Sequence, residues 1–295
     1  MLCPMSDKKI CIGVIGGSGL GDALGAEQGR THEIDTPFGT PSGPVIEAQW
    51  DGRTIYLLQR HGPGHVLNPS AVPYRANIFA LKRLGVTHIL ASGATGSLRE
   101  EMRPGDLVVV DQVIDKTTKR ANTFYERAAV HVELSEPFCP VMRRWLLGAA
   151  QSVAPETKVH DKGTYICMEG PAFSTRAESH MHRAWGGDLI GMTAMPEARL
   201  AREAEISYAT VALATDYDCW HESEEEVSVE AVIAVVKKNA QRARRVVARA
   251  VDKVPAEHTC IATNALDNAI LTAPNHISAE KRQKLGALLG RYFGS

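Results

Sequence analysis

Ile206-Ser-Tyr-Ala-Thr-Val-Ala-Leu-Ala-Thr215 is a ten-residue, mostly apolar run that ends in Asp216-Tyr217-Asp218. A continuous run, rather than strict alternation, is the mark of a strand buried on both faces, and such strands lie in sheets covered by helices. Thr87 to Ala91 and Ile10 to Ile15 read the same way, the latter interrupted by Gly13. Asp106 to Val113 and Thr164 to Met168 are two more strands. Pro44 to Trp50 and Arg53 to Gln59 flank Asp51-Gly52, a strong hairpin signal, so antiparallel strands join the sheet.

Helical stretches alternate with these strands. Pro73 to Leu84, Glu136 to Val153 (with Pro140 as the true start), Thr175 to Trp185 and Met195 to Ala204 read as helices. Ser228 to Val251 carries apolar residues at 229, 232, 233, 236, 240, 243 and 247, a helical stripe. Ser278 suits the cap of a last amphipathic helix to about Leu289. The pattern predicts an α/β fold, a single domain with a central mixed β-sheet flanked by helices. Residues 1–9 form a tail, 10–254 the domain, and 255–295 an extension whose helix packs on the domain or on a neighbouring subunit. In such folds ligands sit at the carboxyl ends of strands, here the loops after Ile15, Ala91 and Thr215.

The chain has 295 residues, 33 Lys+Arg against 34 Asp+Glu, and a formal net charge of -1. That balance gives no global attraction to nucleic acid or anionic lipid. No apolar run approaches the ~18 residues of a membrane span. The six cysteines are too scattered for a zinc knuckle and too sparse for a disulfide scaffold. Isolated thiols, and a start without a signal-like apolar stretch, point to the cytoplasm. No metal site and no cofactor are expected.

Gly16-Gly17-Ser18-Gly19 fails both the dinucleotide fingerprint and the P-loop pattern. It is either a plain tight turn or a nest of N–H groups and a hydroxyl for an oxyanion. Ser92-Gly93-Ala94-Thr95-Gly96-Ser97 reads as a second nest. Arg60-His61-Gly62-Pro63-Gly64-His65 is either a surface loop or a small-anion site, with Arg60 offering paired donors. Asp216 and Asp218, at i and i+2 on an extended segment, point the same way. They are either a loop pair or partly desolvated carboxylates, one of them kept protonated near neutral pH. The acidic run His221 to Glu226 is not a zinc motif, and Lys237, Lys238, Arg242, Arg245 and Arg249 read as a solvated helix face rather than a nucleic-acid stripe.

Together these segments resemble the trimeric branch of the purine nucleoside phosphorylases, and within it the 5'-methylthioadenosine phosphorylases. The matching stretches include Ile15-Gly-Gly-Ser-Gly-Leu20, Thr36-Pro-Phe-Gly39, Arg60-His-Gly62, Gly96-Ser-Leu-Arg-Glu100 and Pro104-Gly-Asp106. They continue with Glu136-Pro-Phe-Cys-Pro140, Glu169-Gly-Pro171, Phe173-Ser174, Arg176-Ala-Glu-Ser179, Met195-Pro-Glu197 and Ala214-Thr-Asp-Tyr-Asp-Cys-Trp220.

The resemblance implies phosphorolysis. Phosphate attacks C1' of methylthioadenosine and releases adenine. It implies a phosphate site of Ser18, Arg60, His61, Gly93, Ala94 and Thr193, with Asp216 as the catalytic acid at N7. Phe173, Met192, Tyr217 and Asp218 would complete the nucleoside site. Ser174, Val229, Val232, Ile233 and His131 would set specificity, His131 across a subunit boundary. It also implies a homotrimer or a dimer of trimers, with phosphate as co-substrate and no cofactor. The alternatives are a 6-oxopurine nucleoside or methylthioinosine phosphorylase, and a non-catalytic nucleoside-binding protein.

Overall fold

The computed structural model describes residues 10–16, 28–153, 155–222, 241–242, 245–255 and 260–293. The early strands are β1 (Ile12–Gly16), β2 (Arg30–His32), β3 (Val45–Trp50) and β4 (Arg53–Gln59). Helix α1 (Tyr74–Arg83) leads to β5 (His88–Ser97), β6 (Leu107–Val109) and β7 (Gln112–Asp115). There follow α2 (Pro140–Val153), β8 (Val159–His160), β9 (Thr164–Cys167), α3 (Arg176–Ala184), β10 (Leu189–Gly191), α4 (Ala194–Glu203) and β11 (Ser207–Tyr217). Two short helices, α5 (Ala279–Lys284) and α6 (Gly286–Phe293), close the chain.

The strands form one mixed eleven-stranded sheet, ordered β2-β3-β4-β1-β5-β10-β9-β7, with β11 paired to β5 and β6. The hairpin forms as read, with Asp51 at φ 45° and Gly52 at φ 73° in the turn. Apolar side chains cover both faces. On one, α1 and α4 bring Ile78, Leu81, Ala198 and Leu200 against Ile15 and Ile89. On the other, α2 and the helical residues 245–252 bring Met142, Leu146, Val247 and Val251 against Val14, Leu90 and Val211. Each of the larger of these side chains contributes ~1.5–3 kcal/mol when fully buried. Gly13 keeps β1 close to its neighbours, since a Cβ there would lie 2.9 Å from Val86 Cγ1.

Three readings change. Asp106 to Val113 is not one strand: β6 pairs with β11 and β8, whereas β7 pairs with β9. The segment after Ala91 is not a loop: β5 runs on to Ser97 because β11 pairs with it along its full length. The last helix breaks at Leu285, and Leu285, Leu288 and Leu289 are buried in the main core. Ser278 does cap it, accepting from the Lys281 N–H at 3.3 Å. Most of the predicted helix from Ser228 lies outside the described residues. Among those described, no helix is long and apolar enough to cross a membrane.

Candidate active site

The edge of β5 that faces β1 is only partly covered. β1 pairs with it as far as Ala91, and β10 pairs with it only from Gly96. Between these points, Ser92 to Thr95 have no strand partner on that side among the described residues. The gap opens at the carboxyl ends of β1 and β4, where the Arg60 N–H donates to the Gly16 carbonyl at 3.0 Å.

Arg60 dominates one wall. Its Nε and Nη2 donate to Glu197 Oε2 and Oε1, both at 2.8 Å, and its Nη1 donates to the Ser92 carbonyl at 3.0 Å. Glu197 is 0% exposed and also accepts from the Tyr208 hydroxyl at 2.7 Å. Arg60 is therefore not a surface-loop residue. A guanidinium has five N–H donors; three are engaged among the described residues, which leaves one on each terminal nitrogen. Glu197, quoted above only within a motif, is what holds Arg60 in place. A carboxylate inside an apolar helix turn was the available signal.

The Ser92 carbonyl faces Arg60, so strand alternation turns the Ala94 N–H to the same side and the Gly93 N–H toward β11. Ala94 thus offers its amide to the gap and Gly93 does not. Gly93 instead leaves room opposite Thr193: a Cβ there would be 3.7 Å from Thr193 Oγ1. The Thr193 N–H donates to the Tyr165 hydroxyl at 3.4 Å.

The His61 ring is oriented by its Nδ1, which donates to the Leu67 carbonyl at 2.8 Å. Burial, reinforced by Arg60 and His65, lowers its pKa to about 4, although the Leu67 contact opposes this. A neutral ring with hydrogen on Nδ1 has a lone pair on Nε2, which can accept from a P–OH but cannot donate to an anion. Ser18 lies outside the described residues.

On the other edge of β5 from the gap, β11 carries the two aspartates. Register shifts between Ala214 and Asp216, so Thr215 is an extra residue and Asp216 sits opposite Gly96. Gly96 is needed for this approach, since a Cβ would lie 3.1 Å from Asp216 Oδ1. Burial raises the Asp216 pKa, Thr215 opposes that, and the Asp218 charge adds to it. The Thr215 hydroxyl lies 2.6 Å from Asp216 Oδ2 and 3.2 Å from the Thr95 carbonyl. Its single hydrogen serves one of them at a time. Both contacts are hydrogen bonds together only when Asp216 is protonated and donates to Thr215. Asp218 Oδ2 is buried without a partner among the described residues, an acceptor awaiting a donor.

Ser174 belongs here: its carbonyl accepts from the Cys219 thiol at 3.3 Å, which ties it to the end of β11. Thr175 and Glu178 form a capping box that starts α3 directly after it, worth ~1 kcal/mol. Phe173 is 84% exposed, its ring open to solvent. Met192 lies against Gly170, where a Cβ would come within 2.5 Å of its sulfur.

Tyr217 does not join them. It alternates to the other face, where it donates to the Glu100 carbonyl at 3.2 Å and stacks on His221 at 4.4 Å. His131 is exposed on a segment paired with the chain's end, its N–H donating to the Ala269 carbonyl at 2.9 Å. Val229, Val232 and Ile233 lie outside the described residues.

Comparison with known proteins bears on this arrangement. Residues 11–252 match the model of the phosphorylase superfamily. An S-methyl-5'-thioadenosine phosphorylase of Geobacter sulfurreducens is 49% identical over 95% of this chain and 98% of its own. A crystal structure of a methylthioadenosine phosphorylase sourced from an antarctic soil metagenomic library superposes with a TM-score of 0.90 at 46% identity, covering 96% of this chain and 99% of that one. A methylthioadenosine phosphorylase from Schistosoma mansoni, in complex with adenine, gives a TM-score of 0.83 at 39% identity over 89% and 99% of the two chains.

Proposed function

Since this chain belongs to the phosphorylase superfamily and, within it, to the S-methyl-5'-thioadenosine phosphorylases, we propose that the gap along β5 is its active site and assign the roles below. The chain is a pentosyltransferase of methionine and purine salvage. It phosphorolyses 5'-methylthioadenosine to adenine and 5-methylthioribose 1-phosphate.

Phosphate lies in the gap against the free Arg60 donors, the Ala94 N–H, Thr193 and Ser18. From there an oxygen reaches C1' as the C–N bond breaks. The ribosyl ring becomes cation-like, and the adjacent anion stabilises it. Neutral Asp216 gives its proton to N7 of the departing adenine. Ser174 and Phe173 bound the base, and Met192 bounds the ribose. Val229, Val232 and Ile233 are assigned to the 5' pocket on the resemblance. With phosphate as nucleophile and Asp216 as acid, the reaction needs no cofactor or metal; an unchanged rate in a chelator checks this.

The observation that carries base selectivity is the buried oxygen of Asp218, which has no partner among the described residues. An ionised carboxylate only accepts, so it takes the N6–H of adenine and opposes a 6-oxo group. Methylthioadenosine is expected to exceed methylthioinosine in kcat/KM by ~10-fold or more, and Asp218→Asn to shift the ratio toward methylthioinosine. A wild type that prefers methylthioinosine, or a variant with an unmoved ratio, contradicts the assignment.

We also infer a homotrimer in the cytoplasm. Exposed His131 lies beside Leu271, 67% exposed, whose N–H donates to the Ala129 carbonyl. That is an apolar and polar pair suited to completing a neighbour's 5' pocket. Light scattering is expected to give three chains per particle, or six if trimers pair, and a fully active monomer would refute this. Fractionation of cells checks the compartment.

A further inference from the structure

The strands β9 and β10 run parallel as far as Cys167 and Gly191, and the Met168 N–H still donates to the Gly191 carbonyl at 2.9 Å. Beyond that the two chains part. One becomes the turn through Glu169 to Pro171 that delivers Phe173 and Ser174. The other delivers Met192 and Thr193 into α4. Carbonyls on both sides lose their ladder partners at this fork, and burying them unpaired is costly.

One side chain collects them. Arg120, from the segment after β7, is only 1% exposed at its side chain. Its Nη1 donates to the carbonyls of Met192 at 2.5 Å and Met195 at 2.7 Å, and the Tyr74 hydroxyl oxygen lies 3.2 Å from the same nitrogen. Its Nη2 donates to the carbonyls of Glu169 at 2.6 Å and Met168 at 3.5 Å. Its Nε donates to Glu169 Oε1 at 3.1 Å. The same carboxylate accepts from the N–H groups of Thr118 and Lys119, which fixes the base of the arginine.

We propose that Arg120 is a positioning residue for the nucleoside half of the site, setting the distance between the loop that carries Phe173 and Ser174 and the loop that carries Met192. It touches neither substrate nor the reacting atoms. The planar fork spans two chains at once, which the point charge of a lysine cannot do. The phosphate half is anchored separately. Thr193 is held by Tyr165 and Arg60 by Glu197, and Met195, whose carbonyl Arg120 also reaches, keeps its own N–H bond to the Cys167 sulfur at 3.3 Å. Loss of Arg120 therefore loosens one half of the site and spares the other.

The proposal rests on the phosphorolysis reading above. Its test reads ligand binding apart from turnover. Adenine and inorganic phosphate are titrated separately into wild type and Arg120→Lys, and KM is measured for methylthioadenosine and for phosphate. A misplacement of about 1 Å is expected to lower kcat/KM for the nucleoside by about 10²-fold, with adenine affinity falling alongside. The KM for phosphate is expected to stay within about twofold, as for a site whose ground-state contacts are intact. In Arg120→Ala, millimolar guanidinium ion is expected to restore adenine binding by refilling the fork's place. If that variant does not fold, the lysine variant carries the test alone. Unchanged nucleoside KM and adenine affinity in Arg120→Lys, or equal losses for adenine and phosphate, would overturn the proposal. A wild type that binds adenine but does not turn over with phosphate would overturn the reading beneath it instead.

Discussion

Arg60→Ala is expected to cost both activity and stability. Two N–H groups proposed to meet the phosphate would vanish, removing charge-assisted contacts that strengthen as negative charge moves. That loss is ~2–3 kcal/mol or more in the transition state, about 10²-fold in kcat/KM. The structure adds a second cost. Glu197 is fully buried and holds Arg60 through two 2.8 Å contacts. Removing the cation leaves that carboxylate unpaired in a dry site, a destabilisation of ~3–5 kcal/mol. Arg60→Lys separates the two effects, because it keeps the charge and loses the fork. It is expected to recover much of the stability and little of the affinity for phosphate. Urea unfolding reads the first, and KM for phosphate the second. An alanine variant with a normal phosphate KM would remove Arg60 from the phosphate site.

Asp216→Asn is expected to lower kcat by ~10²–10⁴-fold, the range for losing a positioned general acid. An amide can still donate a hydrogen bond to N7 but cannot transfer a proton to it. The pH dependence follows from the direction of the pKa shift. Burial raises the Asp216 pKa, so the acid form persists above the usual carboxylate range, and the wild-type rate falls on the alkaline side as the proton is lost. That limb is expected to disappear from the kcat profile of the variant.

Stability moves the other way. A folded-state pKa above the unfolded one means that the native state binds the proton more tightly. Native stability therefore falls as pH rises from the unfolded value through the folded one. At neutral pH the asparagine variant no longer carries that cost, and it is expected to unfold at a urea concentration equal to or higher than wild type. A variant that keeps its activity, or its alkaline limb, would assign the proton elsewhere.

Much of this site was legible in the residues before any geometry. The apolar run to Thr215 marked a doubly covered strand, and two aspartates at i and i+2 had to share a face once that strand formed. The same alternation should have excluded Tyr217, which was carried along by its motif. The Ser92 to Ser97 segment was misread because small and glycine residues imitate a turn. It is a strand because β11 supplies a partner along its whole length, and pairing of that kind is not encoded locally. The amide proposed to meet phosphate there comes from an interrupted sheet edge, which only topology reveals.

Strands as short as β2, β8 and β10 carry too few residues for a periodic signal. Asp106 to Val113 shows the opposite failure: a strand-like stretch serves two different pairings, and the polar Asp111 and Gln112 mark where one gives way to the other. Glu197 and Arg120 were hidden for another reason. Their roles depend on partners 137 residues away in one case and 46 to 75 in the other. A buried arginine that follows a strand demands a counter-charge, but nothing in the sequence names which one.

The account turns on phosphate as the group that attacks C1', and the most direct test is adenine release from methylthioadenosine with and without phosphate. Adenine is expected to appear only when phosphate is present, one for each 5-methylthioribose 1-phosphate formed. Equal release in phosphate-free buffer, with free 5-methylthioribose as the sugar product, would contradict it.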